Sequence, residues 1–97
     1  MPGKISAQRF FSDCHSEEVF WSNNGLLIHN IPELIDAIDR MDDFSFRYHV
    51  NKDNNKNDFA DWIRDAYGED ELALRLEGVK DRAKYLRILK ARVKEYS

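Results

Sequence analysis

The chain has 97 residues, of which 42% are hydrophobic and 34% are charged, and its formal net charge at pH 7 is −3. This length suits one small domain, and the apolar content excludes an intrinsically disordered chain. The slightly acidic balance excludes attraction to nucleic acid by overall charge. No apolar run approaches the roughly 18 residues that a membrane helix needs.

Cys14 is the only cysteine, so the chain cannot form an internal disulfide. The N-terminal residues show no apolar run of the length found in a signal peptide. We therefore expect a single cytoplasmic domain that covers residues 1–97.

The first predicted element is a β-hairpin at about residues 18–30. Two apolar runs, Glu18–Ser22 and Leu26–Asn30, flank the polar triplet Asn23-Asn24-Gly25. Asn-Gly favours a type I′ turn, because both residues tolerate positive φ. The pattern predicts a short N-terminal hairpin.

A helix is predicted next, over residues 31–41. Asn30 can cap it, Glu33 stands three residues later as a capping box requires, and Pro32 falls in the first turn. An apolar stripe at helical spacing follows, formed by Leu34, Ile35, Ile38 and Met41.

The segment FSFRYHV carries two conflicting patterns. Its apolar residues alternate from Phe44 to Val50, which is typical of a half-buried strand. Asp42 and Asp43, however, are good helix N-caps, and Phe46 and Val50 would share one helical face. Periodicity alone leaves helix and strand open for this segment.

Three further helices are predicted, and their approximate bounds are 58–67, 70–77 and 79–96. Asn57 or Asp58 can cap the first of them, and Gly68 is a natural stop. Gly78 ends the second, which is rich in Leu, Ala, Glu and Arg. The chain is thus expected to be mainly α, a compact multi-helix domain with a short N-terminal β-hairpin.

Several of these positions follow one pattern of residue types, namely an aromatic-His pair, then Asn-Asp-Phe-x-x-Trp, then Gly-x-x-x-Leu-Ala. The matching residues are Tyr48, His49, Asn57, Asp58, Phe59, Trp62, Gly68, Leu72, Ala73 and Leu76. The pattern resembles a prokaryotic family of small domains of unknown function that end in an arginine-rich helix, and it covers roughly residues 30–95. The resemblance implies that residues 43–50 are helical, and it implies no activity. Family members often carry extra histidines after the first one, where this chain has only Asn, Lys and Asp.

The polar run Asn51–Asn57 has the oxygen-rich composition of a calcium loop. An EF-hand also needs glycine at its sixth position and a bidentate glutamate at its twelfth. In both registers that fit the ligand spacing, Lys or Asp stands sixth and Trp62 or Arg64 stands twelfth. The run is therefore interpreted as a helix–helix connector.

Metal, cofactor and nucleophile sites are not expected. His15, His29 and His49 lack the spacing of a zinc site, and Cys14-His15 with Asp13 and Glu17 lacks a second contributing segment. The glycines are isolated, and no nucleophile elbow or phosphate loop is present. These observations favour a protein that is not an enzyme.

His49 with Asp58 or Asp61 offers the residue types of an oriented general base, and Asn57 stands beside them. The same residues also have a structural explanation, because Asn57 or Asp58 caps a helix and Trp62 anchors the core. We expect His49 or a connector carbonyl to accept the indole N–H of Trp62, so that His49, Asn57 and Trp62 form a clasp. A small-ligand or catalytic site built on His49 is the alternative.

The C-terminal helix carries most of the basic charge. Residues 80–97 hold 7 basic and 2 acidic side chains, whereas residues 1–79 hold 8 basic and 16 acidic ones. The simplest interpretation is a helix docked on its own acidic domain. An apolar seam at near-heptad spacing also predicts contact with another protein or a second copy. The candidate contact residues are Arg82, Leu86, Arg87, Leu89, Lys90 and Val93.

The sequence as a whole thus favours a non-enzymatic protein-interaction or binding module without a cofactor. Nucleic-acid binding through residues 80–94 is an alternative, although the acidic remainder of the chain would repel phosphate. Few aromatic residues alternate with the basic ones, as stacking on single strands would require.

Overall fold

The computed structural model describes residues 5–23, 25–51 and 55–97, which form six α-helices and two small antiparallel hairpins. The helices are α1 Ala7–Phe11, α2 Ile31–Arg40, α3 Asp43–His49, α4 Asp58–Tyr67, α5 Asp70–Leu76 and α6 Arg82–Tyr96. The strands are β1 Phe20–Trp21, β2 Leu27–Ile28, β3 Val50–Asn51 and β4 Lys56–Asn57, and a 3₁₀ helix covers Ser16–Glu18. The predicted fold class, mainly α with an N-terminal hairpin, is confirmed.

The N-terminal hairpin has shorter strands than predicted. Its register pairs Phe20 with Ile28 and Trp21 with Leu27. The first pair faces the core, whereas the second is exposed, with 74% of the Trp21 surface accessible. Gly25 takes the left-handed conformation at φ 86°. The predicted type I′ turn also depends on Asn24, which lies outside the described residues.

The second hairpin, β3–β4, was not predicted. It connects α3 to α4 and pairs Val50 with Asn57 and Asn51 with Lys56. Each strand has two residues, so neither could produce an alternating pattern in the sequence. Residues 52–54 of the connecting segment lie outside the described residues.

Local capping explains where α2 and α3 begin. Asn30 Oδ1 accepts a hydrogen bond from the N–H of Glu33 at 2.7 Å. The Glu33 carboxylate accepts one from the N–H of His29 at 2.9 Å, one residue before the partner that a capping box predicts. Asp42 Oδ1 accepts from the N–H of Ser45 at 2.8 Å, which resolves the ambiguous segment as a helix.

α6 begins three residues later than predicted. Gly78 has a left-handed φ of 77°, and the N–H of Val79 donates to the carbonyl of Leu76 at 3.1 Å. This turn directs the chain away from α5, and Asp81 then occupies the N-cap position of α6. Residues 79–81 therefore form a connection, although their composition suits a helix.

The core lies among α2, α4, α5 and α6 and is completed by α1 and α3. Its largest fully buried apolar side chains are Phe10, Ile28, Ile31, Leu34, Ile38, Phe46, Phe59, Ile63, Tyr67, Leu72 and Tyr85. Within the described residues, no helix is both long and apolar enough to cross a lipid bilayer.

α2 and α6 pack in antiparallel directions. The guanidinium of Arg82, at the start of α6, donates to the carbonyls of Ile38 and Asp39 at the end of α2, at 3.2 and 3.3 Å. Val93, near the end of α6, lies beside Ile35 in the N-terminal half of α2. A shallow groove remains between the two helices on the protein surface.

Candidate functional site

His49 is the last residue of α3, and only 3% of its surface is exposed. Its Nδ1 lies 2.9 Å from Asp58 Oδ2 at the start of α4, and its Nε2 accepts a hydrogen bond from the N–H of Asn23 at 3.0 Å. An Nε2 that accepts from a backbone N–H carries no hydrogen, so the ring hydrogen is assigned to Nδ1 and is donated to Asp58. His49 thus connects three elements: α3, the N-terminal hairpin and α4.

Aromatic rings surround the His49 imidazole. The centroids of Phe20 and Phe59 each lie 5.1 Å from that of His49, and the Tyr48 ring lies at 5.0 Å. The geometry brings His49 and Asp58 together as an oriented general base requires, but the second ring nitrogen is occupied by the protein's own backbone. The arrangement therefore stabilises the fold and leaves no free nitrogen to accept a proton from a ligand.

Asp61, the other carboxylate considered for this site, points elsewhere. It is exposed and pairs with Arg64 one turn later in α4, with Arg64 Nη1 3.3 Å from Asp61 Oδ1. Asp58 is also contacted by Lys56 Nζ at 3.5 Å. Of the two candidates, only Asp58 contacts His49.

Asn57 joins α4 to α5 and α6. Its side-chain amide donates to the carbonyl of Leu76 at 3.0 Å, and its Oδ1 accepts from the Tyr85 hydroxyl at 2.6 Å and from the N–H of Ala60 at 3.4 Å. Burial raises the pKa of Tyr85 well above its usual range, so its hydroxyl remains a donor. Asn57 is thus the predicted helix cap and also a cross-link in the core.

The predicted partner of Trp62 is wrong. The indole N–H donates to the carbonyl of Glu18 in the 3₁₀ helix at 2.5 Å, and not to His49 or to the described part of the connector. The three-residue clasp is therefore two separate structural connections. His49 holds the N-terminal hairpin against α3 and α4, while Trp62 holds the 3₁₀ helix against α4.

A buried ionic network was missed by the sequence analysis. Arg92 Nε donates to Glu69 Oε1 at 2.6 Å, and the exposed fractions of these side chains are 2% and 0%. The Tyr96 hydroxyl donates to the other oxygen of Glu69 and accepts from the N–H of Ile5 at 2.8 Å. Burial opposes the charge on Arg92, but bonds to Glu69 and Glu95 outweigh it and raise the pKa of Arg92. Arg92 looked like one of several surface cations, so its role had no separate signal in the sequence.

The described residues contain no cluster of side chains that could bind a metal ion. Among residues 5–23, 25–51 and 55–97, His, Cys, Asp and Glu side chains do not gather in any group of three that could hold an ion. Three residues of the polar run, 52–54, lie outside these ranges.

The candidate partner residues of α6 fall into two groups. Leu86 and Leu89 are buried in the chain's own core, and Arg82 bonds to α2 and to Asp43. The side chains of Arg87 and Lys90 are exposed, and Val93 is half-buried. The apolar seam of the predicted partner surface is therefore largely used for folding.

Lys90 and Val93 of this set line the α2–α6 groove, which has a volume of about 380 Å³. Its lining residues are Pro32, Ile35, Lys90, Val93 and Lys94. Of these, Pro32, Ile35 and Lys94 were not among the residues predicted from the sequence. No sequence signal placed Pro32 and Ile35 beside α6, because that neighbourhood results from helix packing.

The fold and the site together define a small helical domain whose N-terminal segment is held by two polar connections, the half-buried His49–Asp58 pair and the buried Arg92–Glu69 pair with Tyr96. The chain belongs to a family of unknown function, DUF5752, whose model matches residues 4–96. The resemblance seen between residues 30 and 95 is thereby confirmed and extended to nearly the whole chain. Comparisons with curated proteins and with solved structures found no match.

Proposed function

We propose that this protein is a non-enzymatic protein-interaction module whose contact surface is the α2–α6 groove. The observation that carries the proposal is an apolar strip bordered by unpaired cations. Pro32, Ile35 and Val93 supply the apolar strip, and Lys90 and Lys94 stand at its edge. A partner with apolar and acidic side chains would complement such a surface.

The cations beside the groove form a stripe on α6. Arg87, Lys90 and Lys94 are spaced i, i+3 and i+7, which places them on one face of the helix, and all three are exposed. Within the described part of the chain, no carboxylate lies within ion-pair distance of these side chains. Arg82 and Arg92 on the same helix are, in contrast, bonded within the domain. The stripe is therefore available to a partner.

The environment of His49 supports a role without catalysis. Both ring nitrogens are engaged by the domain itself, one with Asp58 and one with the N–H of Asn23. A catalytic histidine needs at least one nitrogen that reaches a substrate. The family motif around His49 is therefore interpreted as a motif that stabilises the fold. Binding is assigned instead to the α2–α6 groove and the cations beside it.

Nucleic acid fits this surface less well than an acidic protein segment. Asp39 is exposed on α2 one turn after Ile35, on the same helical face, and would repel a phosphate placed in the groove. The exposed face of α6 also carries no aromatic side chain for base stacking.

The proposal is tested by site-specific photo-crosslinking in native cell extract. A crosslinking residue at position 90 should trap a partner, and the same residue at position 84, an exposed lysine position that does not line the groove, should not. The position-90 adduct should disappear when Ile35→Glu places a charge in the groove. Equal crosslinking at both positions, or an adduct with nucleic acid, would contradict the proposal.

A further inference from the structure

We infer that the segment bound in the α2–α6 groove is an amphipathic α-helix of a partner protein, with acidic side chains toward α6 and basic side chains toward α2. The inference rests on the proposed function, since it specifies the partner at the same surface. It follows from the nature of the two walls, from the apolar strip between them and from the charges along each wall.

Both walls of the groove are helices. Their backbone N–H and C=O groups are bonded within α2 and α6, so the groove offers no free strand edge to which an extended segment could pair. An amphipathic helix, by contrast, can place its apolar face in a hydrophobic groove of this kind. A helix is therefore the secondary structure that this surface receives.

The apolar strip has the dimensions of a short helical seam. Pro32 and Ile35 are one turn apart on α2, and Val93 opposes them from α6. Apolar anchors spaced i, i+3 or i+4 and i+7 on the bound helix would cover this strip in about two turns. The apolar anchors of the bound helix should be of moderate size. Ile35 and Val93 are already half-buried, so they leave only part of their surface for contact.

The two walls carry opposite charge. α6 presents the stripe Arg87, Lys90 and Lys94, whereas α2 presents Asp39, which stands four residues after Ile35 and therefore on the same helical face. Asp36 lines a different hollow beside Leu27 and pairs with Arg40 at 3.3 Å, whereas no cation of the described residues pairs with Asp39. A helix with acidic residues along one flank and basic residues along the other complements both walls, as e and g positions do in coiled coils.

The charges also set the direction in which the helix lies. Turning a helix end for end in the groove exchanges the walls that its two flanks face. One direction therefore places acidic side chains against the α6 cations, and the other places them against Asp39. A helix with two unlike flanks should bind in one direction only.

The test uses a synthetic peptide of about 14 residues, which is about four helical turns. It carries a leucine seam, glutamates along one flank and lysines along the other. On titration into the isotopically labelled full chain, the methyl NMR signals of Ile35 and Val93 should shift. A control peptide of the same composition, shuffled so that no seam exists, should leave these signals unchanged.

Charge reversal on the chain tests the contribution of the α6 stripe. Lys90→Glu with Lys94→Glu should weaken peptide binding about tenfold, because two favourable rim contacts become repulsive. Lys80→Glu with Lys84→Glu changes the net charge equally but lies outside the groove, so its affinity should stay within about twofold of the wild type.

Direction is tested with a spin label at the peptide N-terminus. The original peptide should broaden signals at one end of the groove, and a peptide with its two flanks exchanged should broaden signals at the other end. Broadening at the same end for both peptides, binding of the shuffled peptide, or equal effects of the two double reversals would each overturn the inference. An adduct at position 90 that maps to an extended segment of a partner would overturn the inference while the proposed function stands.

Discussion

His49 shows how one side chain can resemble a catalytic residue and yet serve the fold. The histidine–carboxylate pair with Asp58 has the geometry of a general base, but the N–H of Asn23 occupies Nε2. The ring therefore forms two hydrogen bonds with the protein, and neither ring nitrogen is left to bond to solvent. Removing either partner of such a buried hydrogen bond leaves the other partner unsatisfied and lowers the stability of the folded state.

Two substitutions of His49 each remove one of its two hydrogen bonds and keep the other. His49→Asn can still donate toward Asp58 but leaves the N–H of Asn23 unpaired, whereas His49→Gln can accept from Asn23 but not donate to Asp58. Each should lower the free energy of unfolding by about 1–3 kcal/mol, and His49→Ala should lower it further because ring packing is also lost. Urea unfolding measures the change. Unchanged stability of His49→Ala together with lost binding of a ligand would contradict the structural role.

Glu95 should affect how strongly the stability of the domain falls at low pH. Hydrogen bonds from Arg75 and Arg92 lower the pKa of Glu95 from its ordinary 4.5 to about 2. A lowered pKa in the folded state means that the ionised carboxylate stabilises the domain above about pH 4.5 and that this contribution is lost as pH falls toward 2. Glu95→Gln should therefore show a smaller fall in melting temperature between pH 5 and pH 2 than the wild type. Parallel pH profiles would show that these bonds do not contribute to stability.

At the scale of elements, the α5–α6 connection decides where α6 begins. Gly78 is left-handed at φ 77°, and a β-carbon placed there would meet no atom within 4 Å. The conformation, and not steric space, therefore requires glycine at this position. The turn fixes the start of α6 at Arg82, from which the guanidinium reaches the end of α2.

Substitution of Gly78 tests that conformational requirement. Gly78→Ala should lower the free energy of unfolding by about 1–2 kcal/mol, since a β-carbon disfavours the left-handed region. Gly78→Asn should cost less, because asparagine tolerates this region better. Thermal unfolding of the two variants measures the order of these effects. An asparagine variant that is the less stable of the two would indicate a different role for the glycine.

At the scale of the whole molecule, the network around Glu69 connects distant parts of the chain. Glu69 lies between α4 and α5, Arg92 and Tyr96 lie on α6, and Ile5 lies before α1. Glu95 extends the network to Arg75 on α5. The network therefore connects α6 to the residue before α1 and to the α4–α5 connection.

Removal of one charge should disrupt this network strongly. Arg92→Met leaves the buried carboxylate of Glu69 without its cation and should cost about 3–5 kcal/mol. Glu69→Gln combined with Arg92→Met removes both charges and should recover part of that loss, as a double-mutant cycle by urea unfolding would show. Additive effects of the two substitutions would mean that the ion pair contributes no coupling energy.

Local signals in the sequence were enough for most of the helices. Asn30 and Asp42 cap α2 and α3 as their residue types indicate, and Asn57 caps α4. These bonds join residues three positions apart, so the sequence itself contains both partners. The resemblance to the family resolved α3, where alternation and capping disagreed.

Contacts between distant residues could not be predicted in the same way. The partner of Trp62 is a carbonyl 44 residues away, and that of Arg92 is a carboxylate 23 residues away. The sequence presented Arg92 as one of several basic side chains, and it left open whether Leu86 and Leu89 pack on the domain itself or on a partner. All three are buried. No periodicity distinguishes an apolar face that covers the chain's own core from one that awaits a partner.

The sequence alone therefore determined the helical class, the N-terminal hairpin and most helix starts, because these depend on neighbours within a few residues. Only the tertiary structure decided that both ring nitrogens of His49 are bonded inside the domain, and that Leu86 and Leu89 of α6 are buried while Lys90 stays exposed. Which face of α6 remains exposed depends on how α2 and α5 pack against it. That packing sums many small contacts between residues far apart in the chain.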